Sequence, residues 1–184
     1  MSIRDLTKAD HDAAEQQPFV KIMFSGQLDP KVYAIFLWNQ HLQYKALEDQ
    51  AGKHGALDGL TNVQRASNIY EDFEELWWET NEDKSYYPPT LDTTAEFTQY
   101  IESVDDPKRL FAHCYTRHMG DMMGGQILAK QVPGKGKLYD FPNKLELQGK
   151  IRERLSDDLV DEVKVAYKFA TNTFKEMWDH VDKS

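Results

Sequence analysis

Apolar residues recur at intervals of three and four along nearly the whole chain, and this spacing restricts it to a fold in which helices bury one face each. The last stripe is the longest: Leu159, Val163, Ala166, Ala170, Phe174, Met177 and Val181 share one face of a helix that Ser156 would cap. Leu6, Ala9, Ala13 and Ala14 mark a short helix near residues 3–17. Asp29-Pro30 reads as a cap followed by proline at the first helical position. The helix it opens carries Val32, Ile35, Phe36, Trp38, Leu42, Tyr44 and Leu47. Leu60, Val63, Ile69, Phe73 and Leu76 predict another from Asp58 to Glu79, before Pro88-Pro89 breaks the chain. A shorter helix follows from Asp92 to Ser103. Asp106-Pro107 opens one that runs to Gln131 and is stopped by Val132-Pro133-Gly134-Lys135-Gly136. After a connection from Tyr139 to Pro142, Leu145, Ile151 and Leu155 resume the helical spacing. No strand-like alternation, repeat or linker competes. The expectation is an all-α, single-domain bundle over residues 1–184, with about seven or eight helices.

The chain of 184 residues is 40% hydrophobic and 29% charged, enough apolar material for one core and too much for a disordered chain. A formal net charge of -9 excludes general nucleic-acid binding, which needs a basic footprint, but leaves room for a local basic patch. Cys114 is the one cysteine, so no internal disulfide forms and a reducing compartment is natural. No apolar run approaches the roughly 18 residues of a membrane span. Met1-Ser2-Ile3-Arg4-Asp5 has no secretory or transit character. These features predict a cytoplasmic protein without a membrane anchor.

One stretch breaks the helical logic. Tyr115-Thr116-Arg117-His118-Met119-Gly120-Asp121-Met122-Met123-Gly124-Gly125-Gln126 lies in a predicted helix, yet holds three glycines. Each glycine costs about 1 kcal/mol relative to alanine in a helix interior. Gly120 and Gly124 share a face, Gly125 widens the strip beside them, and a flat group could approach the bare backbone. Asp121 sits within the strip, and a buried carboxylate is expensive without a partner or a task. Close helix packing is the plainer explanation of the glycines, but it accounts for neither Arg117 nor Asp121. Far upstream, His11 lies on the first amphipathic helix, with Glu15 one turn on, placed to accept from a ring nitrogen. A lone histidine there is ordinarily a surface residue. The remaining histidines have no metal-ligand spacing among themselves.

Taken together, these residues resemble the heme oxygenases. The glycine segment is similar to their distal-helix wording, Tyr-Thr-Arg-Tyr-Leu-Gly-Asp-Leu-Ser-Gly-Gly-Gln. Leu6-Thr7-Lys8 through Glu15, then Phe19, resembles the proximal-histidine helix. Tyr44-Lys45-Ala46-Leu47-Glu48, Tyr139-Asp140-Phe141-Pro142 and Arg152-Glu153-Arg154 match further stretches in order, from about residue 4 to 178. The resemblance implies heme b, at once substrate and prosthetic group, between the His11 helix and the glycine helix, with His11 as iron ligand. It implies that Gly120, Gly124 and Gly125 let the distal backbone approach the iron, and that Asp121 orders a proton-delivering water supported by Tyr44 and Arg117. It places Arg4, Arg152 and Tyr115 on the propionates. Gln148 stands where the family has a propionate-binding lysine, for which Lys144 or Lys150 would substitute. Ala170 replaces an asparagine of the distal network, Tyr167 a phenylalanine, and Met122-Met123 a Leu-Ser pair.

The activity so implied is cleavage of heme, with oxygen and donor electrons, to biliverdin IXα, carbon monoxide and ferrous iron. The implied external electron donor is a ferredoxin or a reductase, and a bilin reductase is a downstream partner. Arg4, Lys8, Lys150 and Arg152 are candidates for the donor's docking patch, on a monomer. A catalytically silent heme-storage or heme-sensing protein of the same fold is the alternative, against which Asp121 argues. A thiaminase-like or di-iron helical enzyme is a third reading, but Glu48, Glu71 and Glu74 do not supply the Glu-x-x-His spacing a di-iron site needs.

Overall fold

The computed structural model describes residues 1–81 and 83–183. Among them it contains eleven α-helical segments and no strand. They are α1 (Ile3–Leu6), α2 (Lys8–Glu15), α3 (Pro18–Ser25), α4 (Pro30–Lys53), α5 (Ala66–Thr80), α6 (Asp92–Glu102), α7 (Pro107–Cys114), α8 (Gly120–Met123), α9 (Gly125–Leu128), α10 (Lys144–Glu153) and α11 (Val160–Trp178). The all-α expectation holds, and the excess over seven or eight comes from helices that the periodicity ran together. The Asp29 carboxylate caps α4, accepting from the Lys31 and Val32 amides at 2.7 and 3.2 Å, and Asp106 caps α7 through the Lys108 amide at 2.9 Å. In both helices a proline occupies the first position, where no amide hydrogen is needed.

The long α4 runs through the centre and packs on α5, α6 and α7. One core lies around Leu47, Phe97, Ile101, Leu110, Leu147 and Val163. The other is aromatic, with Phe19, Tyr33, Phe36, Phe73 and Trp77. α11 leans on α2, α3, α6 and α7, which holds the N-terminal helices against the bundle.

Three boundaries differ from expectation. The first helix is broken at Thr7 into α1 and α2, and a further helix, α3, follows at Pro18. The helix expected from Asp58 begins at Ala66, because residues 54–65 form turns in which Gly55 and Gly59 take φ of +75° and +76°. Its cap comes from another helix: Glu48 accepts from the amides of Arg65 and Ala66 at 2.5 and 3.1 Å. Likewise, Glu176 of α11 accepts from the Asp92 and Thr93 amides at 3.0 and 2.6 Å at the start of α6. Finally, a 3-10 turn over Asp157–Leu159 precedes α11, and Ser156 makes no capping bond.

Candidate functional site

The helix opened by Asp106-Pro107 does not stay α-helical. Residues Tyr115–Met119 widen into a π-helical turn between α7 and α8, a distortion common where function lies. The extra residue in the turn lets Arg117, His118 and Met119 all face the interior, while Gly120 emerges on the surface. A Cβ built on Gly120 would meet nothing within 4 Å, and one on Gly124 only the Gly120 carbonyl at 3.9 Å. Met123 and Ile127, 50% and 59% exposed, extend this bare face at helical spacing. The result is an apolar strip beside a half-buried carboxylate. Gly125 points elsewhere and corrects the expectation that it widens the strip. A Cβ there would lie 2.7 Å from Cε1 of Tyr139, so Gly125 makes room for an aromatic ring inside the fold.

Asp121 is anchored from α4: the Tyr44 hydroxyl donates to its Oδ2 at 2.6 Å. Burial pushes the Asp121 carboxyl up to about 6, against the opposing pull of the Tyr44 hydrogen bond and the His118, Arg117 and Arg65 charges. The Arg117 guanidinium lies 5.4 Å from the Tyr44 ring centroid and 4.3 Å from that of Phe97. Its Nη2 donates to Gln43 Oε1 at 2.6 Å, while its buried Nε has no partner among the described residues. Gln43 donates in turn to the Thr94 and Thr173 hydroxyls at 2.8 and 3.2 Å.

Across the fold, His11 faces Tyr167 edge-on at 5.8 Å. Its Nδ1 is hydrogen-bonded to Asp12 Oδ1 at 3.3 Å, and its Nε2 stands 3.3 Å from Glu15 Oε1. Glu15 thus reaches a ring nitrogen of His11 from one turn on, as its spacing predicts, and Asp12 adds a second carboxylate at the other nitrogen. Burial raises the Tyr115 hydroxyl pKa, and the charges of Arg4 and Arg152 hold it down, so these three form one group. Tyr167 also feels Tyr115, Glu15, Asp10 and Arg4. Among the described residues neither Arg4 nor Arg152 makes an ion pair. Lys150 does not join them. It pairs with Glu146 at 2.6 Å and donates to the Gly59 carbonyl at 3.2 Å, because two helical residues from Arg152 is nearly half a turn away.

The structure thus brings His11, Tyr167, Tyr115, Arg4 and Arg152 together. It sets Asp121, Tyr44, Arg117 and Gly120 one helical stretch beyond Tyr115. It excludes Gly125 and Lys150 from both groups. Sequence reasoning missed Asp12, Gln43, Glu48, Arg65 and His118. Two of them carried a signal: His118 stands where the family wording has a second tyrosine, and Glu48 closes the matching Tyr44-Lys45-Ala46-Leu47-Glu48 stretch. Among the described residues no cluster of three or more His, Cys, Asp or Glu could hold a metal ion, and no helix is long and apolar enough to cross a membrane.

A family model described as heme oxygenase matches residues 1–175. A heme oxygenase of Rhodella violacea is 28% identical over 204 residues, covering 96% of this chain and 86% of its own. Heme oxygenase 2 of Rattus norvegicus is 26% identical, with 95% of this chain and 64% of its own covered. A heme oxygenase structure from Leptospira interrogans superposes with a TM-score of 0.80 at 25% identity, covering 96% of this chain and 100% of that one. Heme oxygenase-1 from the cyanobacterium Synechocystis, in complex with heme, gives a TM-score of 0.80 at 22% identity, covering 97% and 91%. With the matched residues spanning nearly the whole chain and the bundle superposing along its length, this protein belongs to the heme oxygenase family.

Proposed function

We propose that this chain, acting as one unit over residues 1–184, is a heme oxygenase that converts heme b to biliverdin IXα, carbon monoxide and ferrous iron. The observation that carries this reading is the half-buried Asp121–Tyr44 pair beside the open backbone of Gly120. A storage site has no use for a carboxylate held at such a position. The residues fit the group: the bare Gly120–Gly124 face admits a flat ring, and the unpaired Arg4 and Arg152 suit its carboxylates.

Heme, when bound, supplies both the iron that activates oxygen and the macrocycle that is cleaved. His11 would hold the iron through a ring nitrogen, with Asp12 and Glu15, one at each nitrogen, there to orient the ring. Arg4, Tyr115 and Arg152 would bind the propionates and set which ring edge faces inward. Tyr167, edge-on to His11, would close the proximal side. Gly120 and Gly124 keep side chains away from the ring. Asp121 holds a proton relay in place: with Tyr44 donating to Oδ2, its other oxygen is left to accept from a water and order it for proton delivery. Arg117 holds the Tyr44 ring from behind and is itself fixed by Gln43.

The electron donor would be a ferredoxin or a reductase, and a bilin reductase would take the product. The direct test is to titrate the purified protein with hemin, supply ferredoxin, its reductase and oxygen, and identify the bilin by chromatography. Loss of the Soret band with growth of a biliverdin band is expected; an oxygenated heme that persists undegraded would refute the enzyme reading in favour of storage.

A further inference from the structure

Two buried histidines on one stretch of helix are bonded in different ways. His113 Nε2 lies 2.8 Å from Glu162 Oε1, and its Nδ1 has no partner among the described residues. One acceptor is satisfied by a neutral ring carrying its hydrogen on Nε2. His118 is fully buried, with Nδ1 3.0 Å from the Cys114 carbonyl oxygen and Nε2 2.9 Å from Glu48 Oε1. A carbonyl and a carboxylate are both acceptors, so both ring nitrogens must carry hydrogen. Glu48 also accepts from the Arg65 and Ala66 amides at the start of α5, so its carboxylate is an acceptor on every side. The His118 ring then stands edge-on to Tyr44 at 5.2 Å, and Tyr44 is the donor to Asp121.

We infer that His118 is a permanent buried imidazolium that keeps Asp121 ionised and Tyr44 aimed at it, a positioning residue for the distal carboxylate. The inference rests on the proposed function, in which Asp121 is the group that handles the proton. The groups facing Asp121 are Tyr33 and Tyr44 from α4, Arg117 and His118 from the π-helical turn, Arg65 from the loop before α5, and Tyr139 from the turn after α9. Arg65 spends its guanidinium on the Asn62 and Asp140 carbonyls, and Arg117 is tied to Gln43. Among the cations that act on Asp121, His118 has the largest effect, ahead of Arg117 and Arg65. Although burial pulls the imidazole down, its bonds to Cys114 and Glu48 lift it to about 10, whereas burial lowers His113.

Nitrogen-15 NMR of the heme-free wild-type protein tests the charge: both His118 ring nitrogens are expected to stay protonated from about pH 6 to about pH 8. A neutral His118 ring in that range overturns the inference. Carbon-13 NMR of the Asp121 carboxyl in wild type, His118→Gln and His118→Tyr tests the coupling. The midpoint is expected to rise by roughly one pH unit in both variants, as a lost nearby cation requires; a folded variant with an unmoved midpoint also overturns it. If neither variant folds, the wild-type nitrogen spectrum decides alone. A raised Asp121 midpoint without a matching shift in the acid limb of bilin formation supports the inference and counts against the catalytic reading of Asp121.

Discussion

Asp121 is destabilising in its own fold. Its carboxyl is pushed up to about 6 from 3.8 by burial, so ionising it above that pH opposes folding, and the penalty vanishes as the pH falls toward 4 and the group is protonated in both states. Asp121→Asn keeps an acceptor for Tyr44 and removes the charge. It is expected to stabilise the heme-free protein by on the order of 2 kcal/mol at pH 7.5, the gain fading toward pH 4, as read by urea unfolding at the two values. The same substitution, and Asp121→Ala, should leave hemin affinity intact but lower bilin yield by roughly a hundredfold, with oxidation diverted away from ring opening. Bilin formation close to the wild-type rate in either variant would remove Asp121 from the mechanism. His11→Ala should instead weaken hemin binding, with added imidazole restoring part of it.

At the scale of the element, the glycines of one short stretch have opposite jobs. Gly120 has helical backbone angles, φ -58° and ψ -45°, and open space where a Cβ would be. Gly120→Ala is therefore expected to raise the melting temperature of the heme-free protein, by about 1 kcal/mol of stability, while weakening hemin binding. Gly125→Ala would drive a methyl group into Tyr139 and lower stability by about 1–3 kcal/mol. Thermal melts of the two heme-free variants should move in opposite directions; parallel shifts would mean that the two glycines share one face after all. Five residues of α-helix turn by about 140°, which carries Gly125 round from the open face of Gly120 to the side where Tyr139 packs.

For the whole molecule, a net charge of -9 sets the terms on which an acidic electron donor can approach. Of the four basic residues expected at its docking edge, Lys8 pairs with Asp12 and Lys150 with Glu146, leaving Arg4 and Arg152 free of ion pairs among the described residues. Turnover supported by ferredoxin should slow as salt rises from about 50 to 300 mM, and Arg152→Glu should raise the KM for ferredoxin several-fold. Turnover indifferent to salt would place the docking surface elsewhere.

The helical class, the helix that carries Tyr44 and the capped starts at Asp29 and Asp106 were all legible in the residues. Periodicity, caps and short motifs are local, and local signals survive without a fold. The start of α5 was not legible, since its cap is Glu48 from another helix. Nor was the split between Gly120 and Gly125, which depends on where Tyr139 packs. Glu15 beside His11 was legible from its spacing, whereas Asp12 at the other nitrogen was not, because a neighbour at i+1 reaches a ring only in one rotamer. His118 was visible as an odd residue in a motif, but its charge was not. That charge depends on two acceptors, one of them from α4, meeting the ring from opposite sides. The sequence by itself determined the helical class and the resemblance to one family; tertiary structure decided the surroundings and direction of the candidate site's side chains, because both are set by neighbours distant in the chain.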